Sequence, residues 1–254
     1  MMDAIGFTRA GASGPPSKVV KDDFNGDGTS DVLLQLGGTV VDWTIKNGAY
    51  QSGNTLTTGA TGFTVVGKGD VNGDGTADIV LQSGGTVVDW IMKNGAYQSG
   101  NTISTAAGGF QVVGVGDVNG DGTSDIVLQN GGVVVDWIMQ NGTYQSGNTL
   151  TTAAAGWTVV GTGDVNGDGT ADVVLQNGGT VVDWIMMNGA YQSGNILTTA
   201  ASGWTVVGTG DYNGDGTSDV MLQNGNTVVD WTMQNGLYQS GSVVTTAAGG
   251  FAVK

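Results

Sequence analysis

The chain has 254 residues, 48 of them Gly, carries a formal charge of −15 at pH 7, and contains no Cys or His. That charge excludes a nucleic-acid surface, which needs clustered Lys and Arg to meet phosphates, and disfavours anionic membranes. No stretch approaches the roughly 20 apolar residues of a membrane helix, and without Cys there is no disulfide framework.

All 22 acidic residues are Asp. Apolar residues remain common enough for a packed core, and Gly with β-branched residues points to short strands joined by tight turns. Residues 1–16, with Gly11, Gly14, Pro15 and Pro16, read as a flexible lead. They lack the apolar run of a signal peptide, although a secreted, extracellular protein is the expectation for the rest of the chain.

From residue 17 the chain repeats. The string Asp-x-Asn-Gly-Asp-Gly-Thr-x-Asp begins at Asp23, Asp70, Asp117, Asp164 and Asp211, each start 47 residues after the last. Val-Asp-Trp ends at Trp43, Trp90, Trp137, Trp184 and Trp231, and Tyr-Gln-Ser-Gly begins at Tyr50, Tyr97, Tyr144, Tyr191 and Tyr238. In the second copy, strands are predicted over 63–67, 77–82, 86–92 and 97–103. The 70–78 loop separates the first two, Gly84-Gly85 turns the chain into the third, and Asn94-Gly95 marks a hairpin because both residues tolerate positive φ. No segment has the spacing of an amphipathic helix.

Four antiparallel strands in one such repeat make one propeller blade. The expected fold is all-β: a five-bladed β-propeller of four-stranded blades, spanning 17–62, 63–109, 110–156, 157–203 and 204–250. An aromatic opens the first strand at Phe63, Phe110, Trp157, Trp204 and Phe251, while the position before the first loop is Pro16, which cannot donate to a ladder. Residues 250–253 are therefore expected to complete the first blade beside residues 19–22, closing the ring and removing sheet edges. The alternative is an open array of β modules.

The loops carry the chemistry. Asp23, Asn25, Asp27, Thr29 and Asp31 stand at loop positions 1, 3, 5, 7 and 9. Their equivalents are Asp70, Asn72, Asp74, Thr76 and Asp78; Asp117, Asn119, Asp121, Thr123 and Asp125; Asp164, Asn166, Asp168, Thr170 and Asp172; and Asp211, Asn213, Asp215, Thr217 and Asp219. Three carboxylates, one amide and a backbone carbonyl at position 7 form a hard oxygen set suited to Ca²⁺, and no thiol or imidazole is present for zinc or copper. Two carboxylates about 4 Å apart repel by about 4 kcal/mol at an effective dielectric near 20. Three per loop weigh heavily on a fold whose whole stability is about 5–15 kcal/mol. About five Ca²⁺ per chain are expected. A plain Asp/Asn/Gly turn explains the Asn and Gly but not three alternating Asp in all five copies. An EF-hand is excluded, because position 12 is Leu34 or Leu81 rather than Glu and the loop leads into a strand.

The loop, preceded by Phe-x-Val-Val-Gly-x-Gly, resembles the FG-GAP/VCBS repeats, which form the propeller of integrin alpha subunits, some fungal lectins and many secreted bacterial proteins. The resemblance covers residues 17–253. It implies a loop joining the first two strands of each blade and binding Ca²⁺ through the residues named above. Integrin propellers have seven blades, whereas this chain has five copies. Asn25 and its equivalents stand where Asp is common in integrins, a change expected to weaken affinity.

Asp42, Asp89, Asp136, Asp183 and Asp230 precede the Trp residues. An Asp–Trp pair can serve as a sugar site, the ring stacking on a pyranose; alternatively the Trp is buried between blades and the Asp is satisfied by backbone or Gln donors. Tyr50 and its equivalents either line pockets between blades or form a polar outer edge. No enzyme is expected: there is no His, Cys or Glu, and the only Arg is Arg9. The leading expectation is a monomeric, multivalent carbohydrate-binding module. The alternatives are a calcium-rigidified scaffold contacting an extracellular protein, and a recently duplicated or engineered propeller with no selected ligand.

Overall fold

The computed structural model describes residues 22–46 and 49–246. These residues form strands, turns and loops, with no helix among them. The first blade has β1 (Val32–Leu36), β2 (Thr39–Lys46) and β3 (Ala49–Thr57). The second has β4 (Thr64–Gly69), β5 (Asp78–Ser83), β6 (Thr86–Lys93) and β7 (Ala96–Ser104). The third runs β8 (Gln111–Gly116), β9 (Asp125–Asn130), β10 (Val133–Gln140) and β11 (Thr143–Thr151), and the fourth β12 (Thr158–Gly163), β13 (Asp172–Asn177), β14 (Thr180–Met187) and β15 (Ala190–Thr198). The fifth has β16 (Thr205–Gly210), β17 (Asp219–Asn224), β18 (Thr227–Gln234) and β19 (Leu237–Thr245). Every blade is an antiparallel meander in chain order. The predicted strands of the second copy coincide with β4 to β7 to within two residues at each end.

The turn chemistry is that of the sequence. Asn94 and Gly95 take φ of 52° and 71°, the left-handed pair a two-residue hairpin requires. The first strand of each four-stranded blade carries a bulge, at Val66 in β4, where the register slips between Val65 and Gly67. The core lies between blades: Val80, Val87 and Ile91 of the second blade pack with Val112, Ile126, Leu128 and Met139 of the third. The same arrangement recurs at the other three described junctions. Blades that bury both faces need no strict alternation, and β5 is buried along Asp78–Gln82.

The five sheets form a five-bladed β-propeller. The inner strands β4, β8, β12 and β16 neighbour one another in order, and Thr162 and Thr209 each donate a hydroxyl hydrogen bond to the preceding blade, to the carbonyls of Val115 and Thr162. Asp22, leading into the first blade, pairs with Lys68 of the second blade at 2.9 Å. It also lies near Tyr212 of the fifth blade, whose phenol is pushed up to about 12, first by desolvation of the hydroxyl and then by Asp22. The first repeat thus sits between the second and the fifth. The expected completion of the first blade by residues 250–253, and the lead over residues 1–16, lie outside the described residues.

Candidate functional site

Each loop is organised by its first aspartate. In the second blade, Asp70 Oδ1 accepts the amides of Gly73 and Asp74 at 2.7 and 3.0 Å, and Oδ2 accepts that of Gly75 at 2.8 Å. Gly73 and Gly75 have φ of 78° and 90°, a left-handed conformation that glycine alone adopts without strain. The same three bonds recur at Asp23, Asp117, Asp164 and Asp211. The position-3 amide oxygen accepts from position 5, as Asn72 does from Asp74 at 2.8 Å. The first copy departs: Asn25 turns its amide nitrogen onto Asp31 at 3.1 Å.

The later loop residues tie the loop to the third strand. Thr76 lies 2.9 Å from the Met92 carbonyl through its hydroxyl, and its amide donates to Asp74. Asp78 accepts the Met92 amide at 2.8 Å on one oxygen and the Val71 amide at 3.1 Å on the other. Burial, followed by repulsion from the other loop aspartates, pushes Asp78, Asp125 and Asp172 up to about 7 against the pull of the Met92, Met139 and Met186 amides. Burial likewise raises Asp70, Asp117 and Asp164.

Positions 1, 5 and 9 therefore share one loop and repel one another. Their oxygens face amide and hydroxyl donors, and among the described residues no three acidic side chains are drawn together closely enough to hold a metal ion as they stand. The chemistry of the donor set still fits a hard divalent cation. It is all oxygen, with three carboxylates and an amide, on a loop whose first ligand is already oriented by three amides.

The loops also touch. The Asp70 carbonyl accepts the Ser124 amide of the next loop at 2.6 Å, and the Val71 carbonyl accepts the amide of Gly142, in the β10–β11 hairpin of the third blade, at 3.0 Å. Both contacts repeat at each described junction.

The Val-Asp-Trp aspartates are buried at the blade junctions. Asp89 Oδ1 accepts the Asn101 amide at 2.9 Å, so the donor is an Asn backbone on the neighbouring strand and not a Gln. The Gln residues span blades instead: Gln82 donates to the Phe110 carbonyl at 2.7 Å and accepts the Val112 amide at 2.9 Å. The Trp residues are not fully buried. Trp90, Trp137, Trp184 and Trp231 pack partly against the junction cores, while Trp43 is exposed. Each makes an edge-to-face pair with the Tyr of its own blade (Tyr50, Tyr97, Tyr144, Tyr191 or Tyr238), with centroids 5.4–5.9 Å apart. The rings cover a strand glycine: a Cβ on Gly100 would stand 3.0 Å from Trp90 Cδ1 and 3.2 Å from the Tyr97 hydroxyl. The pair is thus a cover over the outer two strands.

The concave surface lies elsewhere. A groove of about 400 Å³ between the first and second blades is lined by Gln35, Gly38, Thr61, Phe63 and Thr64. Another of about 510 Å³ between the third and fourth is lined by Gln111, Gln129, Gly132, Trp157 and Thr158. Neither has a charged side chain in its lining. The sequence signal for these grooves is the aromatic that opens each first strand, which sequence reasoning used only to argue closure.

The architecture and the repeated loop define a β-propeller built from loop-bearing repeats. The model of the FG-GAP-like repeat matches residues 70–128, 117–175 and 164–222, and the chain belongs to that family. No curated protein matches it. Among solved structures it is similar to an Agrocybe aegerita lectin described as recognising non-reducing terminal N-acetylglucosamine. That similarity has a TM-score of 0.61 at 18% identity and covers 91% of this chain and 66% of the lectin. It is also similar to a Photorhabdus luminescens Tc holotoxin pore, with a TM-score of 0.55 at 18% identity, covering 89% of this chain and 12% of the toxin chain. At these identities the likeness is one of fold.

Proposed function

We propose that the chain is a calcium-binding propeller that presents several equivalent sites to carbohydrate. The loop aspartates at positions 1, 5 and 9, with the position-3 Asn and the position-7 carbonyl, would hold the ion, whose part is to cancel the repulsion among them. The Asp70 type of residue orients the loop, and the Asp78 type anchors it to the third strand.

The observation that carries the saccharide reading is the uncharged groove between blades. An aromatic ring, glycine backbone and amide or hydroxyl side chains meet there in a shallow, open depression. A neutral pyranose has matching chemistry: an apolar face and a rim of hydroxyls. The fold shared with a lectin supports this reading, and repetition turns weak single contacts into avidity.

The test is a glycan array run in calcium and in chelator, followed by Trp157→Ala with Trp204→Ala, and separately Tyr144→Ala with Tyr191→Ala. Loss of binding in the first pair supports the grooves. Loss confined to the second moves the site to the Trp–Tyr pairs. No binding to any glycan favours a scaffold for protein contacts.

A further inference from the structure

We propose that the aspartate of each Val-Asp-Trp run (Asp42, Asp89, Asp136, Asp183 and Asp230) is a fourth carboxylate of the cation site in its own blade, beyond the three that the loop supplies. This inference rests on the calcium reading of the loops.

Register places the groups together. Val80 lies opposite Asp89 in the β5–β6 ladder. Side chains two residues apart on a strand share a face, so Asp78 and Asp89 stand on the same face as diagonal neighbours, with Cα atoms about 7–8 Å apart. The ladders of the other blades set Leu33 opposite Asp42, Val127 opposite Asp136, Val174 opposite Asp183 and Met221 opposite Asp230. Asp31, Asp125, Asp172 and Asp219 are therefore paired in the same way.

Both members of each pair are buried. Asp78, Asp89, Asp125, Asp136, Asp172 and Asp183 have no exposed surface, and Asp31, Asp42, Asp219 and Asp230 have at most 8%.

The second observation is independent of the acidic count. Asp89 Oδ2, Asp183 Oδ2, Asp230 Oδ1 and both oxygens of Asp42 are buried without a hydrogen-bond partner. Asp136 Oδ2 accepts from the Asn148 side chain at 3.3 Å, and the Asn101 and Asn195 side chains stand next to Asp89 and Asp183 and favour their ionised forms without completing a hydrogen bond to Oδ2. The Asp42, Asp89 and Asp183 oxygens lie beside the hairpin glycine of the next blade, whose amide is bonded to the loop of their own blade. A Cβ on Gly95 would stand 3.7 Å from Asp42 Oδ2 and 3.5 Å from the Cβ of Asn25, the position-3 residue of the same blade. A Cβ on Gly142 would stand 3.3 Å from Asp89 Oδ2, and Gly142 itself is bonded to the loop carbonyl of Val71. The next hairpin thus roofs the carboxylate and keeps water out. No described ion pair neutralises any of the five; Lys68 pairs with Asp22 and Lys93 with Asp74.

A buried carboxylate without a partner persists only where something else supplies positive charge or a proton. A divalent cation in the loop would serve both members of each pair, and the affinity of such sites follows the charge of their ligands.

The experiment uses the full chain carrying Asp42→Asn, Asp89→Asn, Asp136→Asn, Asp183→Asn and Asp230→Asn together. The amide keeps an oxygen for the Asn101-type donor and removes the charge. Calorimetric calcium titration should show about tenfold or greater weakening. The calcium-induced rise in Tm should shrink, and Tm in chelator should equal or exceed that of the unmodified chain. Unchanged calcium affinity overturns the proposal and leaves a shared proton as the remedy. An equal fall of Tm with and without calcium also overturns it, since that marks a purely structural role. If the fivefold variant does not fold, Asp89→Asn alone should move one site in five to a weaker class, and five unaltered sites would refute it. An unmodified chain that takes up no calcium brings down the loop reading itself, and this inference with it.

Discussion

The backbone carbonyl of Asp70 accepts the amide of Ser124 at 2.6 Å, so the loop of the second blade rests directly on the loop of the third. The contact recurs from Asp117 to Ala171 and from Asp164 to Ser218. Beside it a Cβ on Gly73 would stand 3.0 Å from the Thr123 methyl. The loops form a chain of peptide contacts, and ordering one limits the freedom of the next. If the loops take up calcium as proposed, uptake should therefore be steeper than for independent sites. Ser124→Pro, which deletes the donor, should lower stability by about 1–3 kcal/mol and flatten the titration. Calorimetry on both proteins checks this; matching curves would show that the loops act alone.

The inner strands depend on glycine for a different reason. A Cβ on Gly114 would lie 2.4 Å from Thr162 Cγ2 of the next blade, and one on Gly67 would lie 2.2 Å from Val115 Cγ2. Neither position has a positive φ, so the requirement is close approach of neighbouring strands. Gly114→Ala should cost about 1–3 kcal/mol by overpacking. Gly59→Ala, with only the Thr57 hydroxyl at 3.5 Å, should stay within about 0.5 kcal/mol. Thermal melts that do not separate the two variants would refute this account of the axis.

The parts that were legible in the sequence are those set within one copy. The Asn94-Gly95 hairpin, the turn at Gly84 and the four strands follow from local turn chemistry and β-branched composition, and the 47-residue step gives the blade count. The parts that were not legible join one copy to the next. Nothing within a copy shows that Gln82 reaches Phe110, that Gly142 caps the loop at Val71, or that the Val-Asp-Trp aspartates keep unpartnered oxygens. Each is settled by how two blades pack, and a period reports only that they are alike. The Trp residues show the same limit. A strand-borne Trp reads as core, yet here the ring is shared between the core and a Tyr across a glycine, because the last strand of each blade faces solvent.

The loops also set a pH dependence. Asp78, Asp125 and Asp172 are pushed up to about 7, chiefly by burial, from an unfolded value of about 3.9. A group raised on folding stabilises the fold fully below its unfolded pKa and loses that contribution as pH rises through the folded value. In chelator, Tm should therefore fall from about pH 4 to about pH 8. If the loops bind calcium as proposed, millimolar calcium favours the ionised form and the fall should flatten or reverse. Asp125→Asn should remove part of the slope in chelator. A Tm in chelator that climbs across this window would mean that the native loops stabilise these groups as anions unaided.

The blade-spanning glutamines give the last test. Gln35, Gln82, Gln129 and Gln176 each donate at 2.7 Å to the carbonyl of the aromatic 28 residues on and accept, at 2.9 to 3.0 Å, the amide 30 residues on. Gln129→Leu leaves the Trp157 carbonyl and the Val159 amide without these partners at a blade junction, a loss of about 2–4 kcal/mol. Gln145→Leu, on the exposed outer strand, should be nearly silent. The same spacing carries Gln223 to Phe251 and Val253. If those residues complete the first blade, removing 251–254 should lower Tm about as much as Gln129→Leu does, and Gln223→Leu should add little to the truncation. Additive losses from Gln223→Leu and the truncation would show that the glutamine holds something other than the end of the chain.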